Sequence, residues 1–245
     1  MYIDFHCHFV SEEILSSIIN KCEYLCLSFY NAESFERFSK SKYFNNPKIK
    51  VVIGCHPWYL DKDFLQKILN HGFSKNDGDI KSINGIGEIG FDAINGNFSN
   101  NIALQEDFFV SQMEFAINQN LPVVIHSVKG IKLLEKHIDL LKKAKKCLFH
   151  GFSGTFSEAN YLIKNKVNCI FSFGKNVLTE NKKTLENILK LPIDFLGLES
   201  DFTEKNQVSI ENVYKKVYNI RRNLENLSFE EFCECQKSNF LSIFT

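Results

Sequence analysis

The sequence predicts an α/β fold, a TIM-like (β/α)8 barrel in which a single domain spans residues 1–245. The chain length is close to the roughly 250 residues of one barrel of this kind. Short apolar runs rich in β-branched residues alternate with stretches of helical periodicity along the whole chain, and the connections are short. Such alternation favours βαβ units in a parallel sheet, and eight repeats of it favour closure into a barrel.

Each predicted strand is a short apolar run. The eight runs are residues 2–7, 24–29, 49–53, 83–89, 122–125, 146–149, 167–171 and 193–198. Helical periodicity predicts helices at residues 11–20, 32–43, 60–70, 101–119, 129–141, 156–165, 180–190, 207–221 and 228–243. Residues 72–79 and 95–101 are rich in Gly and Asn, which predicts exposed loops.

Composition limits the classes of partner. Lys plus Arg equals Asp plus Glu at 29 each, so no global field attracts nucleic acid or an anionic membrane, and local charge must hold any polyanionic substrate. The chain lacks a leader pattern at its start and a run of about 18 apolar residues, so we expect a soluble cytoplasmic protein with no membrane contact. The spacings of the eight cysteines predict reduced, buried thiols. No obligate protein partner is evident.

Six side chains that could bind metal stand at or just past the ends of predicted strands: His6, His8, Glu88, His126, His150 and Asp201. Because the active sites of barrel enzymes lie at the carboxyl ends of the strands, we expect these side chains to converge. Imidazole and carboxylate ligands suit zinc, manganese or magnesium. Six ligands exceed the roughly three protein ligands of one catalytic zinc. The pattern therefore predicts two divalent metal ions (Mg, Mn or Zn) that share a carboxylate.

The first strand shows which of its residues could be ligands. Side chains of a strand alternate between its two faces, which predicts that Asp4, His6 and His8 face the barrel interior. The intervening residues are then expected to face the surrounding helices: Ile3, Phe5 and Cys7. Cys7 is thereby excluded as a ligand.

The motifs of the chain resemble, in order, the signatures of the TatD family of metal-dependent deoxyribonucleases. They are Asp4-Phe-His-Cys-His8, Gly54-Cys-His-Pro57, Gly87-Glu-Ile-Gly-Phe-Asp92, Leu121-Pro-Val-Val-Ile-His-Ser127, His150-Gly-Phe-Ser-Gly154 and Glu199-Ser-Asp201. Gln105, Phe109, Gln112 and Ala116 fall where the fourth helix of that family carries similar residues. The resemblance covers the whole chain.

The resemblance implies a barrel of the amidohydrolase type and a metal-dependent nuclease that trims nucleic acid from the 3′ end, with single-stranded DNA as the expected substrate. It implies that His6, His8 and Asp201 bind the first metal and that His126 and His150 bind the second. Glu88 would bridge the two ions, and His56 would contact a substrate phosphate. We expect Asp201 and Glu88 to be the catalytic carboxylates, with Asp201 accepting the proton of the attacking water.

Three positions depart from the family pattern. Val128 stands where the family usually carries Arg, Phe202-Thr203 replaces Ala-Pro, and residues 204–208 replace an Arg-x-Asn-x-Pro segment. All three lie in the expected substrate zone, so the hydrolytic chemistry is better supported than the choice of substrate. Two alternatives stay open: a metal-dependent hydrolase of carboxylic esters, amides or small phosphoesters, and a catalytically weakened relative that binds nucleic acid.

Two further observations concern the family and the substrate. Phosphotriesterase-like barrels carry a modified lysine at the end of strand four. This chain has Glu88 there, which favours the TatD-like interpretation. Aromatic residues near the strand ends are candidates for stacking on bases: Phe9, Trp58, Tyr59, Phe91 and Phe152.

Overall fold

Eight parallel strands follow one another in chain order around a nearly closed barrel. The computed structural model describes residues 1–70, 83–94 and 101–245. The strands are β1 (Tyr2–His8), β2 (Cys22–Phe29), β3 (Ile49–Ile53), β4 (Ile83–Asp92), β5 (Val123–Val128), β6 (Cys147–Phe149), β7 (Cys169–Phe173) and β8 (Leu196–Leu198). The predicted fold class is confirmed, since every predicted strand lies in this sheet. The last one is shorter than predicted, because Ile193–Phe195 forms a 3-10 turn before it.

Helices surround the sheet. They are α1 (Glu12–Ile19), α2 (Ala32–Ser39), α3 (Lys62–Leu69), α4 (Ile102–Asn118), α5 (Ile131–Lys136), α6 (Ile138–Lys143), α7 (Phe156–Lys164), α8 (Lys175–Leu178), α9 (Lys182–Lys190), α10 (Ile210–Glu225) and α11 (Phe229–Phe244). The single helix predicted at residues 129–141 is two helices, because His137 between them has a non-helical backbone. The short α8 was not predicted. The predicted loops at 72–79 and 95–101 lie outside the described residues, except Asn101, the N-cap residue of α4.

Polar side chains fix where several helices begin. A side-chain oxygen of the N-cap residue accepts a hydrogen bond from a backbone N–H of the first turn, which would otherwise be unpaired. This cap is present in α1, α2, α3, α7, α9 and α11. In the described part of the chain no helix is both long and apolar enough to cross a bilayer. All eight cysteines are unpaired thiols, and six of them are buried.

Two apolar clusters fill the molecule. The larger one lies between the strands and the surrounding helices. The smaller one fills the barrel interior with residues from six strands: Ile3, Phe5, Cys26, Val52, Val124, Leu148 and Ile170. Phe240 of α11 packs edge-on against Phe5, with the ring centroids 5.3 Å apart. Helix α11 therefore closes the amino-terminal end of the interior, and the opposite end is left for polar residues.

The predicted orientation of β1 is partly wrong. Ile3 and Phe5 face the barrel interior, whereas Cys7 lies in the outer cluster as predicted. The cause is a register shift between Asp4 and Cys7, where β1 has one residue more than β2. This bulge interrupts the alternation of faces, so Phe5 and His6 both lie on the inner side.

Strands β1 and β8 are joined by a seam that uses a side chain. The N–H of Asp201 donates to the carbonyl oxygen of His6 (2.9 Å), and the N–H of His8 donates to that of Phe202 (3.0 Å). The buried Asp4 carboxylate accepts from the N–H of Ser200 (2.9 Å) and from its hydroxyl (2.6 Å). Asp4 thus points at the end of β8 and closes the barrel where the ladder of backbone hydrogen bonds ends.

This seam predicts the effect of removing the Asp4 carboxylate. We expect Asp4→Ala to lower the free energy of unfolding by about 2–3 kcal/mol, because the buried N–H and hydroxyl of Ser200 lose their acceptor. Asp4→Asn keeps one carbonyl acceptor and serves as the matched control with a smaller loss. Urea unfolding followed by circular dichroism measures both. Equal stability of Asp4→Ala and wild type would contradict this role of Asp4.

Candidate metal centre

Glu88 lies on β4 in a segment where the strands approach closely. A side chain at Gly87 would place its Cβ 2.6 Å from the Cβ of Val124 on β5, at a φ of +159°. Only glycine fits there. The close contact brings Glu88 into the interior of the barrel, where its side chain is buried.

One oxygen of Glu88 faces the residues of β1. Glu88 Oε1 lies 3.3 Å from His6 Nε2 and 3.5 Å from His8 Nε2. Asp201 completes this group, with its Oδ1 3.5 Å from His8 Nε2 and 3.9 Å from His6 Nε2. One ligand atom from each of His6, His8 and Asp201 lies within 4.8 Å of the others. Three protein ligands at such spacing are what a catalytic metal requires.

The other oxygen of Glu88 faces three further imidazoles. Glu88 Oε2 lies 2.7 Å from His150 Nε2, 3.6 Å from His126 Nδ1 and 3.6 Å from His56 Nε2. His126 Nδ1 is 3.1 Å from His150 Nε2. The carboxylate of Glu88 therefore separates two groups of imidazole nitrogens, one at each of its oxygens.

Outer hydrogen bonds orient the imidazoles. The Nδ1–H of His8 donates to the carbonyl oxygen of Ser28 (3.2 Å), which leaves its Nε2 lone pair directed at Glu88 and Asp201. His126 Nε2 lies 3.4 Å from Asp92 Oδ2, which leaves its Nδ1 directed at Glu88. Carboxylate and carbonyl partners of this kind set the tautomer and raise the basicity of metal-ligating histidines.

His56 has the opposite tautomer. Its Nδ1 accepts a hydrogen bond from the N–H of Trp58 (3.0 Å), so the proton of the neutral ring is on Nε2. Burial lowers the pKa of His56 to about 3, which keeps the ring neutral at physiological pH. In this state Nε2 is a hydrogen-bond donor, so His56 suits a contact with an anionic substrate rather than a bond to metal.

The charges of the site hold Glu88 in its anionic form. Burial raises the pKa of Glu88, but His150 and His6 outweigh it and hold that pKa well below its ordinary value. Burial lowers the pKa of His150, but Glu88 and Glu199 outweigh it and raise that pKa well above its ordinary value. Oε1 of Glu88 is buried and accepts no hydrogen bond from the described residues. An anionic oxygen without a donor among imidazole nitrogens fits a divalent ion that takes nitrogen and oxygen ligands.

Comparison with known proteins identifies the family. A family model described as TatD related DNase matches residues 3–245. The chain belongs to this family. Among curated relatives, an uncharacterized metal-dependent hydrolase of Mycoplasma genitalium is 29% identical over 218 residues, which cover 82% of this chain and 80% of the relative. A similar hydrolase of Haemophilus influenzae is 30% identical over 156 residues, which cover 61% of this chain and 57% of the relative.

Solved structures have the same fold. The crystal structure of YjjV, a TatD homolog from Escherichia coli, has a TM-score of 0.77 at 22% identity, covering 99% of this chain and 97% of that one. A TatD family hydrolase from Entamoeba histolytica has a TM-score of 0.75 at 18% identity, with the same coverage. At these identities the likeness concerns the fold, which is the barrel predicted for the TatD family.

The predicted residues of this TatD family member lie together. The other five predicted ligands and His56 lie around Glu88, and the roles of all seven residues stay predictions. A pocket of about 560 Å³ opens beside them. Two of the aromatics expected to stack on bases are core residues, since Phe91 and Phe152 are 0% and 2% exposed. Trp58 and Tyr59 are 39% and 48% exposed and line the pocket.

Sequence reasoning assigned no role to several supporting residues. Asp92 accepts from the indole N–H of Trp58 (2.8 Å) as well as facing His126. Glu199 accepts from the N–H of Gly151 (2.7 Å) and from the hydroxyl of Ser172, and lies 3.8 Å from His150 Nδ1. Both residues occur in the TatD motifs, and their place in these motifs was the available indication of a role at the site.

Buried amides of α4 hold the ends of two strands. Gln112 Oε1 accepts from the N–H of Cys55 (2.7 Å) after β3, and Gln105 Oε1 accepts from the N–H of Asp92 (2.9 Å) at the end of β4. In the sequence, these two glutamines are seven residues apart on a helix face that is otherwise apolar. Such a pair lies on one side of a helix.

The positions that depart from the TatD pattern differ in location. Val128 is not among the residues that line the pocket, whereas Thr203, Glu204 and Lys205 are. The segment after Asp201 is therefore the altered part that borders the site.

The contact between Asp92 and His126 predicts a change in metal affinity. We expect Asp92→Ala to weaken binding of one divalent ion about 10- to 100-fold, because the His126 ring loses the partner that orients it. Titration with manganese, followed by isothermal calorimetry, measures this, with Asp107→Ala on the exposed side of α4 as the control. Identical isotherms for Asp92→Ala and wild type would refute a supporting role for Asp92.

Proposed function

We propose that this chain, a metal-dependent hydrolase of the TatD family, cleaves phosphodiester bonds of DNA with two divalent ions (Mg, Mn or Zn) and acts from the 3′ end of single strands. One observation carries the proposal: the two oxygens of Glu88 face two separate groups of ligands. A carboxylate so placed would help to hold two divalent ions, which would supply the charge stabilisation used for in-line displacement at phosphorus. His6, His8 and Asp201 would hold one ion, and His126 and His150 the other.

Bound divalent ions would polarise the phosphate group and lower the pKa of an attacking water. The protein must then accept a proton near that water. The side chain of Asp201 is 42% exposed and borders the pocket. Burial raises the pKa of Asp201, but the hydrogen bond with His8 and the charges of His6 and His150 outweigh it and lower that pKa. Asp201 is therefore an anionic carboxylate in contact with solvent, which suits a general base.

The backbone at Asp201 supports this role. Asp201 has a φ of +47°, in the left-handed region that non-glycine residues rarely adopt. Its N–H donates to the carbonyl oxygen of His6, and its carbonyl oxygen accepts from the side-chain amide of Asn206 (2.7 Å). These two bonds hold the turn, so the carboxylate stays directed at His8.

His56 supplies a donor for the phosphate. Its protonated Nε2 lies on the Oε2 side of Glu88, beside His126 (3.3 Å). A neutral donor can bind a non-bridging oxygen in the ground state and bind it more strongly as negative charge develops.

The outer part of the pocket suits a single strand. The ring of Tyr59 stacks on that of Tyr30, with the centroids 4.7 Å apart and the planes at 15°. This pair presents an aromatic face beside the metal ligands, which supports stacking of a base. Arg37 and Lys205 also line the pocket and can bind phosphates. Because the chain has zero net charge, these two side chains supply the local positive charge that a polyanionic substrate requires.

A second candidate is hydrolysis of carboxylic esters, amides or small phosphoesters by the same residues. The observation that favours it is the presence of Glu33 and Glu204 in the pocket lining. Both are acidic and would repel a polyanion.

The bridging role of Glu88 predicts loss of activity on its removal. We expect wild type with manganese or magnesium to degrade a 3′-labelled single-stranded oligonucleotide and Glu88→Ala to lose this activity by at least about 1000-fold, because both ions lose a shared ligand. Bound metal, measured by elemental analysis, should also fall from two ions per chain.

Two results would count against the proposal. Full activity of Glu88→Ala would refute the bridge. Turnover of carboxylic esters by wild type, with no effect on DNA or RNA in the same panel, would support the second candidate instead. Glu114→Ala on α4, outside the pocket, serves as the control for both assays.

The stacking role of Tyr59 predicts a selective defect. We expect Tyr59→Ala to raise the KM for oligonucleotides about 5- to 100-fold, because one base–ring contact is worth roughly 1–3 kcal/mol. The KM for bis(p-nitrophenyl) phosphate should change less, since that diester offers no stacked strand. Steady-state kinetics on both substrates test this, with Tyr59→Phe as the control. An equal loss on both substrates would show that Tyr59 serves the fold of the pocket.

A further inference from the structure

Ser28 has a buried hydroxyl that bonds none of the described residues. The side chain lies on β2, is 2% exposed, and its Oγ has no hydrogen-bond partner among the described residues. Burying a hydroxyl unpaired is unfavourable, so each such group in a folded protein requires an explanation.

The position of Ser28 distinguishes it from the other unpaired groups. Several other buried polar atoms also lack partners among the described residues, but those of Ser127, Thr184 and Arg221 belong to side chains that do not line the pocket. Ser28 does line it. Among the described residues that border the pocket, it carries the one unpaired buried hydroxyl.

The backbone places this hydroxyl beside the metal ligands. Ser28 is the register partner of His8 across β1 and β2, and its own carbonyl oxygen accepts from His8 Nδ1. Its neighbours Leu27 and Phe29 belong to the outer cluster, so Ser28 faces inward. The carbonyl group of Ser28 thus accepts a hydrogen bond from the predicted ligand His8. The hydroxyl group of this pocket-lining residue bonds none of the described residues.

We propose that the Ser28 hydroxyl is a substrate-binding donor that holds a non-bridging oxygen of the phosphate group beside His8. The inference rests on the proposed phosphodiester substrate. A hydroxyl is a neutral donor that can turn toward an anionic oxygen, and such bonds to charged groups are stronger than those between neutral groups. With His56 it forms a pair of uncharged donors from two different strand ends. Ser28 thereby helps to select a tetrahedral anionic group over a planar neutral ester, which offers fewer acceptors.

Kinetics with matched serine variants tests the proposal. We expect Ser28→Ala to lower kcat/KM for a single-stranded oligonucleotide about 10- to 100-fold, mainly through KM. The unfolding midpoint and the manganese affinity should not fall, because the hydroxyl bonds none of the described residues in the free protein. Ser28→Thr keeps a hydroxyl and should recover most of the loss. Ser127→Ala removes another buried, unpaired serine hydroxyl, next to His126 but outside the pocket, and should leave the kinetics unchanged.

A binding measurement separates this proposal from the proposed function. Thymidine 5′-monophosphate is titrated into the manganese-loaded protein by calorimetry, which requires no turnover, and we expect Ser28→Ala to bind it about tenfold more weakly. Equal affinities overturn the role of Ser28 even if wild type degrades DNA. A lower manganese affinity of Ser28→Ala also overturns it, because the hydroxyl then serves a metal. A Ser28-dependent affinity in a protein that cleaves no phosphodiester overturns the nuclease function and leaves the role of Ser28 in place.

Discussion

The buried carboxylate of Glu88 is the constraint around which this barrel is arranged. Removing a carboxylate from water costs on the order of several kcal/mol unless positive charge compensates it. Imidazoles approach both of its oxygens, and His150 is the nearest at 2.7 Å. The imidazoles compensate the negative charge of Glu88, and their nitrogens lie where a cation could bind. The stability of the interior and the chemistry of the pocket therefore depend on the same carboxylate.

The strands bring the predicted ligands to Glu88 by three different means. Gly87 permits the close approach of β4 and β5. The bulge in β1 turns His6 inward beside Phe5. The seam between β1 and β8 holds Asp201 in a left-handed backbone conformation next to His6. Each of these is a local departure from regular sheet geometry. Each occurs where a side chain points into the site and does not pack in the apolar core.

The two ends of the barrel interior differ in polarity. Helix α11 closes the amino-terminal end with Phe240 against Phe5. That leaves the carboxyl ends of the strands as the face where polar groups can meet. The pocket there is lined by Ser28 and His56, by the aromatic face of Tyr59, and by basic side chains from the segments after β2 and β8. In this way a chain without net charge gathers positive charge and polar groups around one pocket.

The sequence by itself determined the fold class, the family and the set of side chains that converge around Glu88, because strand ends carry their side chains to one face of any parallel barrel. It also predicted that Cys7 points away. It could not predict that Ile3 and Phe5 point inward, since a bulge breaks the period of two and depends on how β1 pairs with β2. The TatD motifs contain Asp92 and Glu199 without giving their partners, and no motif contains Ser28, because each of the three contacts a histidine distant in the chain. Only the tertiary structure decided which oxygen of Glu88 faces which histidines, since that depends on side-chain directions across five strands and the turn after β8.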